Sequence, residues 1–253
     1  MQLVFNRIRC WSGVMMLGAP LLAGCVSVTQ KSHDPETVAS IQRIVLLDVV
    51  GPQQYRVSNI GSASSAFGLV GALAEVATEG GRAQAFDATI RQHFDAAAYM
   101  RTQLANAVEA RGYKVASLPG QHPTVKEGKG DYSAIETNGD PILEIALFQA
   151  GYVSEQFSTK YDPHIQVVAR LGASGTGELL YFQAYNYGAK LGSTKGMKYL
   201  PPVSKSEFGT YSDLMDDIAA TVSGLRSGID AITQEIAATF PARGIRPTED
   251  QNP

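Results

Sequence analysis

The chain has 253 residues, 44% of them hydrophobic, which is enough for one domain with a sizeable apolar core. Its 21 Lys and Arg against 24 Asp and Glu give a net charge of −3, a balance that leaves no basic footprint for nucleic acid. Only two cysteines are present, Cys10 and Cys25, so everything after residue 25 lacks a thiol for a disulfide, a thiolate nucleophile or a cysteine–metal site.

The first 24 residues read as a secretory leader. Arg7 and Arg9 are the only charges before Cys25, and they precede an apolar run over residues 11–22. That run is too short to span a bilayer, which takes about 20 apolar residues. It ends in Leu22-Ala23-Gly24-Cys25, which resembles the lipobox of bacterial lipoproteins. The resemblance implies cleavage between Gly24 and Cys25, with diacylglycerol on the Cys25 thiol and an N-acyl chain on the new amino terminus. Several chains hold where one binds only marginally, at about 0.8 kcal/mol per buried methylene. Val26, rather than Asp, follows the cysteine, which the same resemblance reads as anchoring in the periplasmic leaflet of the outer membrane. Losing the leader removes two arginines and no acid, taking the net charge to about −5.

Residues 25–40 are mostly polar, include Asp34-Pro35, and are expected to form a flexible tether. Residues 41–50 follow with a β-branched-rich apolar run, the signature of a strand covered on both faces. From 51 to 82 the composition turns to Gly, Ser and Ala around one apolar patch that includes Phe67, Leu69, Val70 and Leu73. This patch is either a packing helix or, if exposed, an interaction surface. Phe86, Ile90, Phe94, Ala97, Leu104 and Val108 recur at the spacing of a helix that stops at Gly112, either one helix throughout or broken near Asp95, which could instead cap a shorter one. A short strand is expected over 113–117, a surface loop over 118–138, and strands over 142–153, 165–171 and 179–188. The last two should form an antiparallel hairpin through Gly172, Gly175 and Gly177, a glycine spacing better suited to a turn than to a phosphate loop.

The clearest helix comes last. Leu214, Ile218, Val222, Leu225, Ile229, Ile232 and Ile236 make one apolar stripe, Thr210 and Asp213 a capping box, and Pro241 a stop. Ala220, Gly224 and Gly228 form a small-residue seam that implies close approach either to the sheet or to another subunit. Residues 241–253 are polar and expected to be disordered. The sum is a single α+β domain over residues 41–240, with helices packed on a mixed, largely antiparallel sheet.

Sites are sparse. His33, His93, His122 and His164 are scattered, without HExxH spacing, so no metal is expected. No GxSxG elbow accompanies Ser154, Ser158 or Ser174. Tyr181, Tyr185 and Tyr187 share one face of a strand by period two, either as core or as a platform for a glycan or a partner. Lys190, Lys195, Lys198 and Lys205 enrich one loop, either simply solvated or set against lipid headgroups or an acidic partner.

The lipobox, the strand Ile44-Val45-Leu46-Leu47, the helix end Glu109-Ala110-Arg111-Gly112-Tyr113 and the three-strand meander are together similar in layout to periplasmic accessory lipoproteins of the curli-secretion, penicillin-binding-protein-activator and TolB N-terminal types. The resemblance implies a non-enzymatic scaffold of the cell envelope, without a cofactor beyond its lipid. Its partners would be the outer-membrane bilayer, an envelope protein and, in one version, further copies of itself. A cell-wall glycan module using the tyrosine face is the alternative, and an envelope hydrolase the second.

Overall fold

The computed structural model describes residues 30–32, 35–60, 68–126, 129–155, 158, 160–191, 194–202 and 207–243, with the backbone alone at 35, 36, 39, 68–79, 125, 126, 129 and 130. The expected α+β class holds: one seven-stranded mixed sheet carries its long helices on one face. β1 (Arg43–Leu47) runs parallel to both of its neighbours, β3 (Lys114–Leu118) and β6 (Ile142–Ser154). β6, β7 (Tyr161–Gly172) and β8 (Leu179–Gly188) form the antiparallel meander, and β9 (Lys198–Leu200) closes that edge in parallel with β8. β2 (Tyr55–Asn59) pairs in parallel with the second half of β6.

β1 is an interior strand, which explains its continuous apolar run. Ile44 and Leu46 enter the main core under the helices, while Val45 and Leu47 enter a second cluster with Tyr132, Ile135 and Ile142 on the opposite face. The β7–β8 hairpin turns where expected, with Gly175 and Gly177 at φ of 70° and 65° and the Ala173 N–H donating to the Glu178 carbonyl at 2.8 Å.

The first helical stretch is two helices, α2 (Gly68–His93) and α3 (Ala96–Glu109). Asp95 is the N-cap of α3, accepting from the Ala98 N–H at 3.0 Å. The break is bridged by a buried tyrosine: the Tyr55 hydroxyl donates to the Phe94 carbonyl (3.0 Å) and accepts from the Ala96 N–H (2.9 Å). Two backbone groups orphaned by the interruption are thereby satisfied without water.

The last stripe is also divided. The Thr210–Asp213 capping box is present and starts α4 (Tyr211–Asp216), but Asp217 then caps a separate helix, α5 (Ile218–Ala238), accepting from the Ala220 N–H. An Asx cap competes with the helical backbone at Asp217 and restarts the helix there. α5 lays Val222, Leu225, Ile229, Ile232 and Ile236 into the core. At Gly228 its small-residue seam faces the sheet. A Cβ on Gly228 would lie 2.5 Å from Ile165 Cδ1 and 2.6 Å from Tyr187 Cδ1, so only glycine lets the helix axis come this close.

Four further expectations are corrected. The Gly-rich stretch contains β2, whose pairing signal is confined to Tyr55 and Val57, both buried. The loop over 118–138 holds a small hairpin, β4 (Thr124–Lys126) with β5 (Lys129–Asp131). The tether is not free along its length. Lys31 bridges to Phe182, and α1 (Pro35–Ser40) buries Val38 in the core, leaving it 1% exposed. At the other end Arg243 still belongs to the domain, since its N–H donates to the Arg111 carbonyl and its guanidinium lies 4.9 Å from the centre of the Tyr113 ring.

Candidate interaction face

Side chains alternate across a strand, so β6 and β7 send Ile145, Leu147, Val167 and Ala169 toward the helices and Glu144, Ala146, Val168 and Arg170 the other way. One end of the helix-free face is roofed by Tyr132 and Ile135, and at the other end His164, Gln166 and Asn186 are buried as well. Beyond that roof lies a cavity of about 260 Å³ whose lining includes Leu47, Val50, Pro123, Ala146 and Val168. Val50 bridges to Ala146 and is 51% exposed. Phe148, left over where the β6–β7 register slips between Leu147 and Gln149, is 45% exposed. These are two of the four large apolar side chains that the described residues leave exposed.

The charged side chains that line this cavity, Asp48, Glu144 and Arg170, are all paired. Arg170 pairs with Glu144 at 3.4 Å, donates to the Tyr132 hydroxyl and to the Gly177 carbonyl, and stacks its guanidinium 4.8 Å from the Tyr132 ring centre. Burial first, then the hydrogen bond and charge of Glu144, push the Tyr132 hydroxyl up to about 12 against the pull of Arg170, so it stays protonated as a donor. On the other side Arg101 pairs with Asp48, whose second oxygen accepts from the Gly120 N–H at 3.2 Å. Carboxylates already matched by arginines, around an apolar floor, offer a partner a pocket for an apolar side chain rather than an unmet charge.

The tyrosine face is corrected. Tyr181, Tyr185 and Tyr187 are 3%, 0% and 1% exposed, beneath α5, so they present no platform to a glycan or partner. Their apolar area is spent on the core, and the Tyr181 and Tyr185 hydroxyls bond to each other. Gly24, Cys25 and Phe67 lie outside the described residues; Leu69, Val70 and Leu73 fall in the first turns of α2, where the backbone alone is described. Among the described residues no group of three or more His, Cys, Asp or Glu is placed to hold a metal ion, and no helix is long and apolar enough to cross a membrane.

His164 is fully buried on the helix-free side, beside Gln166 and Asn186. Its Nδ1 lies 3.2 Å from the Ala189 carbonyl and its Nε2 3.0 Å from Gln166 Nε2. A carbonyl only accepts and an amide nitrogen only donates, so the ring is the neutral Nδ1–H tautomer. Burial lowers its pKa to about 4, despite opposing contributions from the Ala189 hydrogen bond and the Glu155 charge. The unfolded chain takes up this proton below its ordinary pKa near 6.5, while the folded chain refuses it until about pH 4. Stability from this group is therefore complete above about pH 6.5 and lost progressively down to about pH 4, by roughly 3 kcal/mol. Denaturant titrations at pH 7.5, 5.5 and 4.5 should show that slope flattened in His164→Asn, which keeps a donor toward Ala189; an unchanged slope would refute the assignment.

No family model matches the chain, and no curated protein matches it. Among solved structures it is similar to a PelC dodecamer from Paraburkholderia phytofirmans, at 14% identity and a TM-score of 0.40, over 86% of this chain and 98% of that one. A putative lipoprotein from Caulobacter crescentus aligns at 10% identity and a TM-score of 0.31, over 57% of this chain and 80% of that one. Lipoprotein GNA1162 from Neisseria meningitidis aligns at 13% identity and a TM-score of 0.24, over 72% of this chain and 97% of that one.

The open face escaped the sequence reading because Val50 and Phe148 look like ordinary strand residues. One signal was available. Leu143, Ile145 and Leu147 keep one phase and Ala150 and Tyr152 the other, so Phe148 sits at the slip between them.

Proposed function

We propose that this chain is a lipid-anchored, non-enzymatic accessory protein of the bacterial cell envelope, held at Cys25 on the periplasmic face of the outer membrane and acting through protein contacts. The observation that carries the reading is the pair of large apolar side chains, Val50 and Phe148, that the described residues leave exposed on β6 and beside it, on a domain whose sequence begins with Arg7, Arg9 and the Leu22-Ala23-Gly24-Cys25 lipobox. Apolar side chains left open beside a pocket mark a contact surface. Confinement to one membrane raises the effective concentration of a partner without any new contact.

A photo-crosslinking residue at position 148, expressed in intact cells, should trap one discrete envelope protein or a second copy of this chain. Phe148→Glu should abolish the same partner's co-purification while leaving Tm within about 2 °C of the parent, because surface changes away from the core cost within about 0.5 kcal/mol. A crosslink-free monomer, or a protein whose Cys25 carries no acyl chain, would overturn the reading. A glycan-binding reading has no such surface, since the tyrosines that would form it are buried.

A further inference from the structure

We infer that the β8–β9 edge of the sheet faces the membrane, with Lys31, Lys190, Lys195 and Lys198 set against anionic phospholipid headgroups. The inference rests on the proposed lipid anchor at Cys25 and deepens it by giving the domain an orientation.

The chain fixes the distance. Lys31 and Phe182 exchange both backbone hydrogen bonds, each 3.0 Å, and the Gln30 side chain donates to the Gly196 carbonyl at 2.5 Å. Gln30 is five residues from Cys25. A fully extended chain covers at most about 3.6 Å per residue, so this clamp stands within about 18 Å of an anchor held at headgroup level. The opposite edge, β3, is five strand spacings away along the sheet, about 24 Å further at roughly 4.8 Å per strand. An anchor this short cannot serve both edges equally, and it selects β8–β9.

The chemistry at that edge suits the assignment. Lys31, Lys190, Lys195 and Lys198 are all exposed there, in a chain that is acidic overall. Among the described residues only Lys198 of the four is in an ion pair, with Glu235; Lys31 donates to the Leu179 carbonyl, and Lys190 lies 5.2 Å from the centre of the Tyr199 ring. Glu155 accepts from the Lys190 N–H at 2.7 Å, and Asp162 lies close enough for its charge to act on the Tyr199 hydroxyl. Tyr199, 39% exposed, adds an amphipathic ring of the kind enriched at headgroup depth. Lysines near an anionic surface are attracted within a Debye length, about 8 Å at physiological salt.

The test uses the full-length lipidated protein reconstituted into vesicles of phosphatidylglycerol and phosphatidylcholine that carry a headgroup quencher. Lipidation consumes Cys25, so Tyr199→Cys and Ser117→Cys each offer one labelling site, on β9 and on β3 respectively. Quenching should be several-fold stronger at 199 than at 117, and should weaken as phosphatidylglycerol is withdrawn or salt is raised. Equal quenching at the two sites overturns the inference, as does quenching at 199 indifferent to lipid charge, or self-quenching at 199 that reports a second copy on this edge. Mass spectrometry of Cys25 on the same samples separates the two failures: an acylated protein with equal quenching sinks the orientation alone, and an unacylated one sinks the anchor with it.

Discussion

Tyr185→Ala is expected to cost about 3–5 kcal/mol of stability, the range for emptying a buried aromatic site, and to lower Tm by about 10 °C. The ring has no solvent exposure, sits opposite Val167 across the β7–β8 ladder, and belongs to the core beneath α5. Burial holds the hydroxyls of both Tyr181 and Tyr185 above their ordinary pKa, so the bond between them survives into alkaline solution. Tyr185→Phe removes that bond and leaves the ring, so it should cost only about 1 kcal/mol. Urea unfolding of the two variants with an unchanged m-value would check both figures. If Tyr185→Ala unfolded like the parent and lost only retention on sacculi, the core placement would be refuted and the glycan platform restored.

Which features could be read in advance follows from how local their causes are. The α5 stripe, the Thr210–Asp213 box, the Asp95 cap and the β7–β8 turn are set by residues within one turn of each other, and each was visible as spacing or as turn chemistry. β1 was legible for a different reason: an interior parallel strand must be apolar on both faces, and residues 44–47 are. β2 and β9 were not legible. Each is short, and its identity comes from the partner strand it meets, at Gly151 for Arg56 and at Asn186 for Tyr199, rather than from a pattern of its own. The tyrosine stripe shows the limit of periodicity: period two established that Tyr181, Tyr185 and Tyr187 share a face, but only the position of α5 decides that the face is buried. The open patch at Val50 and Phe148 depends on where helices are missing, which no local pattern encodes.

Gly188→Ala is expected to be the most disruptive small substitution, costing about 4 kcal/mol through two named mechanisms. Gly188 has φ of 88°, where a side chain is strained, and the added Cβ would fall 1.6 Å from the Pro163 carbonyl oxygen. That oxygen cannot withdraw cheaply, because it accepts from the Ala189 N–H at 3.1 Å and belongs to the stretch where His164 pairs with Gly188. The displaced residue would be Ala189, whose carbonyl accepts from both His164 Nδ1 and Asn186 Nδ2. Loosening it exposes the imidazole to water, which raises the pKa of His164 back toward its ordinary value. A variant damaged only by steric overlap would keep the parent's loss of stability between about pH 6.5 and pH 4, simply displaced downward. Gly188→Ala should instead show a lower stability at pH 7.5 together with a shallower acid slope, and the His164 ring protons, followed by NMR, should titrate at a higher pH than in the parent. Parallel stability curves would separate the glycine from the histidine and show that the Gly188–Ala189 turn does not seal the buried imidazole.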